Sequence, residues 1–232
     1  MASMMKISVV IPVYNENRTI YEIIARVHAI DIAEEIVIID DGSTDGTSEK
    51  LAEIGKKFEN VKVLFHRKNR GKGAALRTGF AAASGEIFIV QDADLEYDPR
   101  DYEILLVPIL DGRAEVVYGS RFLGGPHRVL FFWHYIGNKF LTLISDALSN
   151  LNLTDMETGY KVFKKEVLAG LKLKSDRFGF EPEFTMKVAK KGYRVYEVPI
   201  SYSGRTYEEG KKIGWRDGLA AIFALLWFRF FD

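Results

Sequence analysis

The sequence predicts an α/β fold with one mostly parallel central sheet and helices on both of its faces. Two observations lead to this prediction. In the first half of the chain, short apolar runs rich in Val and Ile alternate with stretches whose apolar residues recur at helical spacing. The connections are short, and strands separated by helices in this manner pair in parallel. The chain has 232 residues, 47% of them hydrophobic, which is enough for one domain with a substantial core.

The periodicity of apolar residues predicts where the strands and helices of the first half begin and end. Residues 7–13 are almost all apolar and rich in β-branched side chains, which predicts a buried strand. Residues 19–27 carry isoleucines and a valine at helical spacing, which predicts the first helix. The same patterns predict strands at 35–40, 61–66, 86–91 and 115–118, with helices at 47–57, 73–83 and 99–110.

Two aromatic segments, residues 129–144 and 219–230, distinguish the second half, where a strand is also predicted at 193–201. Basic residues accompany both segments, as is typical of helices that lie in the headgroup region of a membrane. The longest apolar run, residues 219–228, is far shorter than the roughly 20 residues that cross a bilayer. A core helix, a membrane-contacting helix and a dimer interface remain open for both segments, and we favour membrane contact.

The composition excludes several classes of function. Lys and Arg together number 32, as do Asp and Glu, so no net charge attracts the chain to nucleic acid. The chain has no cysteine, which excludes disulfides and thiolate metal sites. It also lacks the glycine fingerprint of dinucleotide-dependent oxidoreductases. We expect a cytoplasmic protein that binds anions through local clusters of charge.

Polar residues follow each of the five predicted strands of the first half. These strand ends comprise residues 14–16, 40–45, 66–73, 92–96 and 119–121. One such loop could be an ordinary turn or a helix cap. Because the carboxyl ends of parallel strands meet at one edge of a sheet, five of them together predict a binding crevice there.

Three carboxylates follow the fourth strand of this series. Asp92, Asp94 and Glu96 alternate in sequence, so in an extended stretch they would point to one side. Their repulsion would be relieved by a divalent cation, and such hard oxygen ligands suit Mg²⁺ or Mn²⁺. The alternative is a solvated turn before Pro99.

Two further strand ends suggest a nucleotide. Gly71 and Gly73 flank Lys72 just before a predicted helix, where N–H groups attract phosphate, although a helix-capping turn explains these glycines equally well. In residues 40–45, a neighbouring side chain can cap the next helix. Asp41 would then be free to accept hydrogen bonds from a base or a ribose.

In order and spacing, these strand ends resemble the motifs of the inverting family-two glycosyltransferases, which have the Rossmann-like GT-A fold. The matching motifs are Ile11-Pro12-Val13-Tyr14-Asn15-Glu16, Asp40-Asp41-Gly42-Ser43, Arg70-Gly71-Lys72-Gly73, Asp92-Ala93-Asp94 and Gly119-Ser120-Arg121. Residues 155–161 and 197–200 resemble the branch of polyprenol-phosphate sugar transferases that contains dolichol-phosphate mannose synthase. The resemblance covers almost the whole chain.

The resemblance implies a role for residues in each motif. The nucleotide-sugar donor would lie against Pro12, Tyr14, Glu16, Asp41, Gly71, Lys72 and Asp92. The metal, Mg²⁺ or Mn²⁺, would be held by Asp92, Asp94 and Glu96, although many mannosyl members have Gln at the third position. The catalytic residues would be Asp94, Arg121, Asp155 and Arg205. The two arginines of this set would stabilise phosphate charge.

Three assignments stay open. Asp155 and Glu157 are both candidates for a general base, and one of them could instead orient the acceptor or cap a turn. Arg128 and His134 are both candidate counterparts of a basic residue that the family has after its fifth strand-end motif. The glycine-flanked segment 204–212 is either a lid over the phosphates or a solvated connector.

The resemblance implies metal-dependent, inverting transfer of a sugar to a polyprenyl or dolichyl phosphate, with mannose from GDP-mannose favoured over UDP-glucose. A single domain, residues 1–232, would bind the donor with residues 1–121 and the acceptor with residues 122–232. The enzyme would lie peripherally at the cytoplasmic face of a membrane, and a homodimer remains open. A soluble or glycan hydroxyl acceptor, or a non-catalytic nucleotide-sugar-binding protein, is the alternative.

Overall fold

The structure is a computed structural model that describes residues 5–129, 131–206, 208–209 and 214–232. The strands are β1 (Ile7–Val13), β2 (Glu35–Asp40), β3 (Val61–Phe65), β4 (Ile87–Val90), β5 (Val116–Ser120), β6 (Lys161–Lys164) and β7 (Val195–Pro199). The helices are α1 (Ile20–Ile30), α2 (Thr47–Lys57), α3 (Lys72–Ala82), α4 (Tyr102–Leu110), α5 (Phe132–Ser149), α6 (Lys165–Ala169), α7 (Phe180–Lys191) and α8 (Trp215–Phe230).

The strands of the described residues form one seven-stranded sheet in the order β3-β2-β1-β4-β6-β5-β7. Neighbouring strands are parallel except where β6 pairs with β4 and with β5. Because β6 is antiparallel to both of its neighbours, β5 and β7 point in the same direction as β1 to β4. The strand ends that carry the polar motifs therefore meet at one edge, and the predicted mostly parallel α/β fold is confirmed.

Helices cover both faces of the sheet, as predicted. One core packs α1, α2 and α4 against one face, through side chains such as Ile24, Leu51 and Leu105. A second core packs α3 and α7 against the opposite face, with contributions from α5 and α8. Aromatic residues fill much of this second core, and Phe163 of β6 contacts Phe184 of α7 at 4.9 Å between ring centroids.

The sequence patterns missed β6, α6 and α7. β6 has only four residues with a lysine at each end, so it lacks the apolar run that predicts a buried strand. α7 begins with two buried glutamates, Glu181 and Glu183, which interrupt the apolar spacing that predicts a helix. The helix predicted at 99–110 is divided into a 3-10 turn, Pro99–Asp101, and α4, while β7 is shorter than the predicted strand at 193–201.

α5 and α8 keep much of their aromatic surface exposed. Each helix packs an inner face, including Ser145 of α5 and Leu225 of α8, while Trp133 is 78% exposed and Phe223 is 67% exposed. The interpretation of both segments as purely core helices is therefore wrong, because burial stops at the inner faces. Among the described residues, neither of these helices nor any other combines the length and apolarity required to span a membrane.

Candidate functional site

The loops after β1 and β2 are joined at the carboxyl edge of the sheet. The N–H of Asn15 donates to Ser43 Oγ (2.9 Å), and Asn15 Oδ1 accepts from the N–H of Thr44 (2.8 Å). Pro12 lies near the end of β1 and is partly buried, and the side chain of Tyr14 is exposed at the edge. Pro12 and Tyr14, two of the residues predicted to line the donor pocket, thus lie at the carboxyl edge of the sheet.

The carboxylate of Asp41 is buried and bonded within the chain. It accepts hydrogen bonds from the N–H groups of Arg70 (3.0 and 3.1 Å) and Gly71 (2.6 Å), and its Oδ1 lies 2.6 Å from Nδ1 of His66. The carboxylate therefore holds the loop that leads into α3. Asp41 is therefore not free in this structure, because backbone donors of the chain bond to it, and its contact with a base stays a prediction.

Gly71 and Gly73 are required for a contact within the chain. A Cβ on Gly71 would lie 2.4 Å from Asp176 O, and a Cβ on Gly73 would lie 2.2 Å from Ser175 O. Asp176 O also accepts a hydrogen bond from the N–H of Ala74 (3.0 Å). The close backbone approach that these glycines permit is thus made by the segment before α7, which packs on the first turn of α3.

Lys72, Asp92 and Glu181 form a buried ion-pair group, here called the Lys72 cluster. The ammonium of Lys72 lies 2.8 Å from Asp92 Oδ1 and 3.0 Å from Glu181 Oε1. Burial lowers the pKa of Lys72, but the two carboxylates outweigh this effect and hold the pKa well above its usual value. A fixed cation therefore lies beside Asp92 at the end of β4.

Arg205 holds three carboxylates, and these four residues are here called the Arg205 cluster. Its Nη1 lies 3.3 Å from Glu16 Oε2, its Nη2 lies 3.1 Å from Asp94 Oδ2, and its Nε lies 3.4 Å from Glu96 Oε1. The hydroxyl of Tyr202 donates to Glu96 Oε2 (2.7 Å). The segment after β7 is thereby docked onto the loops that follow β1 and β4.

The three carboxylates predicted to form one metal site are divided between these clusters. The chain turns immediately after Asp92, so the alternation of an extended strand does not apply. Asp92 faces Lys72, whereas Asp94 and Glu96 face Arg205. Within the described ranges, no three His, Cys, Asp or Glu side chains are arranged to hold a metal ion. The structure thus does not hold the three carboxylates in one arrangement, and their role as metal ligands stays a prediction.

The same residues nevertheless have the chemistry that a divalent cation requires. All three side chains offer hard oxygen ligands. Burial, and after it the charges of Asp92 and Glu96, raises the pKa of Asp94 to about 7. A dication would relieve this repulsion, and the cations of Lys72 and Arg205 now provide part of that relief. Asp94 with Asp92 or Glu96 fits Mg²⁺ or Mn²⁺.

Arg121 and Asp155 form a bidentate ion pair, here called the Arg121 pair. Both distances, Nε to Oδ2 and Nη2 to Oδ1, are 2.7 Å, and the N–H of Arg121 also donates to Oδ2 (3.1 Å). Glu197 accepts from the N–H groups of Thr154 (2.9 Å) and Asp155 (3.0 Å), which fixes the loop beneath the pair. Asp155 is thus an orienting partner of Arg121 in this structure, and both of its oxygens are occupied.

Glu157 differs from Asp155 in its contacts. Its Oε1 is buried and has no hydrogen-bond partner among the described residues. Burial, and after it the charge of Glu181, raises the pKa of Glu157 to about 8. Burial likewise lowers the pKa of the neighbouring Lys161 to about 8, and its ammonium donates to the carbonyls of Met156 (3.2 Å) and Thr158 (2.5 Å).

Gly159 brings these groups together. A Cβ at this position would lie 2.2 Å from Asp92 Oδ2 and 3.0 Å from the ring of Tyr97. The N–H of Gly159 donates to the hydroxyl of Tyr97 (2.8 Å). The loop that carries Asp155 and Glu157 therefore lies directly against the Lys72 cluster.

The candidate lid is described in part. Arg128 pairs with Glu209 (2.8 Å) and donates to Gly204 O (3.2 Å), so it contacts this segment. His134 lies in the first turn of α5. Residue 207 and residues 210–212 of the predicted lid lie outside the described residues.

Two buried charged residues of the site, Glu181 and Lys161, were absent from the predicted set. A signal for Glu181 was present, since it follows Phe178-Gly179-Phe180 and an acid within an apolar stretch is seldom buried without a partner. Nothing in the sequence indicated which cation that partner would be.

Comparisons with known proteins identify the family. The sequence profile described as "Glycosyl transferase family 2" matches residues 8–171. The dolichol-phosphate mannosyltransferase of Pyrococcus furiosus is 34% identical over 215 residues. The match covers 90% of this chain and 60% of the length of that relative. The polyprenol monophosphomannose synthase of Mycolicibacterium smegmatis is 29% identical over 214 residues, which are 89% of this chain and 80% of that one.

Solved structures of glucosyl-3-phosphoglycerate synthase from Mycobacterium tuberculosis share the fold. The complex with Mn²⁺, UDP and glucosyl-3-phosphoglycerate has a TM-score of 0.77 at 22% identity, covering 97% of this chain and 80% of that one. The complex with Mg²⁺ and UDP has a TM-score of 0.76 at 22% identity, with coverage of 97% and 80%. From its profile match and its architecture, the chain belongs to glycosyl transferase family 2, a family of sugar-transferring enzymes, and has the GT-A fold.

Proposed function

We propose that the protein transfers a hexose, mannose from GDP-mannose, to a polyprenyl phosphate with inversion at the anomeric carbon and with a divalent cation. One observation carries this proposal. Gly159 places the Arg121 pair and the Lys72 cluster at one point of the sheet edge. Arg121 and Lys72, the cations of these two groups, would bind the two phosphates between which the sugar is transferred. The named activities of the two sequence relatives support the same reaction.

The donor would lie over the ends of β1, β2 and β4, with its diphosphate near Lys72. As the bond between the anomeric carbon and the diphosphate oxygen breaks, negative charge develops on the departing nucleoside diphosphate. Lys72 is already fixed by two carboxylates, so no reorganisation is required for it to act. A cation held by Asp94 with Asp92 or Glu96 would act as a Lewis acid on the diphosphate.

The acceptor would be held by Arg121. A phosphate monoester is ionised at neutral pH, so its attacking oxygen needs to be positioned more than deprotonated. This agrees with the role of Asp155, whose oxygens orient Arg121 rather than face a substrate hydroxyl. Arg205 would exchange carboxylate partners for phosphate oxygens when donor and acceptor bind.

The exposed aromatic faces of α5 and α8 suggest where the acceptor comes from. They lie in the second half of the chain, which also supplies Asp155 and Arg205. We propose that these faces rest in the headgroup region of a membrane, so that the enzyme takes a lipid phosphate from the bilayer surface. The protein would then be peripheral, on the cytoplasmic side.

The test is a panel of radiolabelled nucleotide sugars, offered with and without a short polyprenyl phosphate and with Mg²⁺ or Mn²⁺. We expect transfer from GDP-mannose, a lipid product of inverted anomeric configuration, and no transfer in excess chelator. Transfer to a soluble hydroxyl acceptor without lipid would overturn the acceptor assignment. Binding of nucleotide sugars without transfer or hydrolysis would indicate a non-catalytic protein.

A further inference from the structure

The loop between α5 and β6 contains a carboxyl group for which the proposed mechanism has no use. Glu157 lies two residues after Asp155 and two residues before Gly159. The first of these neighbours holds Arg121, and the second contacts Asp92. Glu157 is therefore carried on the backbone between the group proposed to hold the acceptor and the group proposed to hold the donor diphosphate.

The side chain of Glu157 is incompletely satisfied where it lies. Oε1 is shielded from solvent but finds no hydrogen-bond partner in the part of the chain that the structure describes, although the residue as a whole is not fully buried. The ammonium of the neighbouring Lys161 donates to backbone carbonyls, and the guanidinium of Arg121 is taken by Asp155. A buried oxygen without a donor costs free energy, and such atoms in folded proteins usually obtain a partner from water or a ligand.

We propose that Glu157 contacts a hydroxyl group of the transferred sugar and selects among donor hexoses; this inference rests on the proposed function. The candidates for this contact are the donor diphosphate, the acceptor phosphate and the sugar hydroxyls. The unsatisfied oxygen requires a hydrogen-bond donor, and ionised phosphate oxygens only accept, so neither the diphosphate nor the acceptor phosphate suits it. Between these two phosphates lies the sugar, whose hydroxyls are the donors that an unsatisfied carboxyl oxygen requires.

The protonation of Glu157 supports such a contact. Burial and the nearby charge of Glu181 raise its pKa to about 8, so at neutral pH it can donate one hydrogen bond and accept another. A group with both capacities can discriminate the position and orientation of a sugar hydroxyl. Sites built to hydrogen-bond a substrate hydroxyl reject analogues that lack it far more strongly than apolar pockets reject a change of size.

The experiment compares GDP-mannose with its singly deoxygenated analogues on the wild type, Glu157→Gln and Glu157→Ala. In the wild type we expect one deoxy position to lower kcat/KM on the order of 100-fold, the behaviour of a hydroxyl-reading site. In Glu157→Ala, intact donor and that analogue should become equal, while the other deoxy positions keep their effects. Glu157→Gln should retain part of the discrimination, and Glu166→Gln, an exposed glutamate on α6, should retain all of it.

A uniform loss of rate for every donor in Glu157→Ala would overturn the inference, because it would make the residue a support for the loop. If Glu157→Ala does not fold, Glu157→Gln carries the test, and unchanged discrimination in it contradicts a sugar contact. Calorimetry supplies a readout that does not depend on transfer. The ratio of the Kd for GDP to the Kd for GDP-mannose should fall in the variants, while GDP binds as in the wild type. If the wild type binds GDP-mannose but transfers no hexose, the proposed function fails and this ratio still decides the inference.

Discussion

Gly159 is the residue at which the Arg121 pair and the Lys72 cluster come into contact. Its missing side chain leaves room for Asp92 Oδ2, and its N–H is held by the hydroxyl of Tyr97. A methyl group there would meet a carboxylate that Lys72 already holds from the other side. The geometry of the site thus depends on one position where no side chain fits.

We expect Gly159→Ala to displace Asp92 and to lower the transfer rate about 100-fold, the cost of a misplacement near 1 Å. The crowding should also lower the free energy of unfolding by about 1–3 kcal/mol. Transfer assays and urea unfolding measure the two effects. Gly137→Ala is the control, because a Cβ at this exposed position of α5 meets nothing within 4 Å and should stabilise the helix by about 0.5–1 kcal/mol. Equal activity of both variants would show that the Asp92 contact is dispensable.

The pKa of Asp94 is raised to about 7 by burial and by the charges of Asp92 and Glu96, and removal of this carboxylate tests the metal. Asp94→Asn should lower transfer by about 100- to 1000-fold, since electrostatic stabilisation of the leaving group is lost, while thermal unfolding shows an intact fold. Excess chelator should have the same effect on the wild type. Asp31→Asn, at an exposed position after α1, should leave transfer unchanged. Full wild-type activity in chelator would contradict metal dependence.

At the scale of elements, α5 and α8 pack together with α7 and turn large aromatic faces outward. The outward set comprises Phe132, Trp133, Phe140 and Leu143 of α5 with Leu219, Phe223, Trp227 and Phe230 of α8. Trp227 stacks with Phe223 and Phe231, so part of this surface is preformed. Exposed clusters of large apolar side chains on neighbouring helices are typical of a membrane or protein contact.

We expect the triple variant Phe132→Ser, Trp133→Ser and Trp227→Ser to stay folded, because all three side chains are exposed. It should lose co-sedimentation with anionic liposomes and transfer more slowly to polyprenyl phosphate, while GDP-mannose binds as before. Phe65→Ser, which removes an exposed aromatic at the end of β3, is the matched control. A stable variant that binds liposomes normally but no longer dimerises would assign the surface to self-association.

At the scale of the whole molecule, buried charges of the site couple its chemistry to its stability. Glu157 and Lys161 lie where the second half of the chain meets the sheet, and both are held away from their ordinary pKa values. These buried charges lower the free energy of unfolding, whereas the two apolar cores raise it. A site assembled from both halves of the chain is therefore expected to respond to pH through global unfolding.

The pH prediction follows from Glu157, whose pKa is about 8 in the folded protein against an ordinary value of 4.5. Between these pH values the unfolded chain releases a proton that the folded protein keeps, so the contribution of Glu157 to stability falls as pH rises. Glu157→Gln lacks this loss and should gain roughly 2–4 kcal/mol relative to the wild type from pH 4.5 to pH 8. Urea unfolding at pH 5 and pH 8 measures the change. Glu166→Gln should parallel the wild type, and parallel behaviour of Glu157→Gln would place its carboxyl in water.

The fold could be predicted well because its signals are local. The apolar run of β1 and the helical spacing of Ile20 to Val27 depend on neighbours a few residues away. Strand order along the chain then fixed which loops share an edge, since parallel strands end on the same side. The sequence by itself thus determined six of the seven strands, without β6, and the edge at which Tyr14, Asp92 and Arg121 lie.

The tertiary structure decided the partners of each charge. The backbone of the β3–α3 loop, and not a ligand, satisfies Asp41, and Arg121 occupies Asp155. Glu181 approaches Lys72 from a helix that the sequence patterns missed. The sequence also left the exposure of α5 and α8 open. An aromatic helix has the same periodicity whether its aromatic face is buried in the core or exposed at the surface. Each polar group bonds to a partner that the fold brings close to it, and that partner is often distant in sequence. Local sequence patterns therefore do not identify the partner.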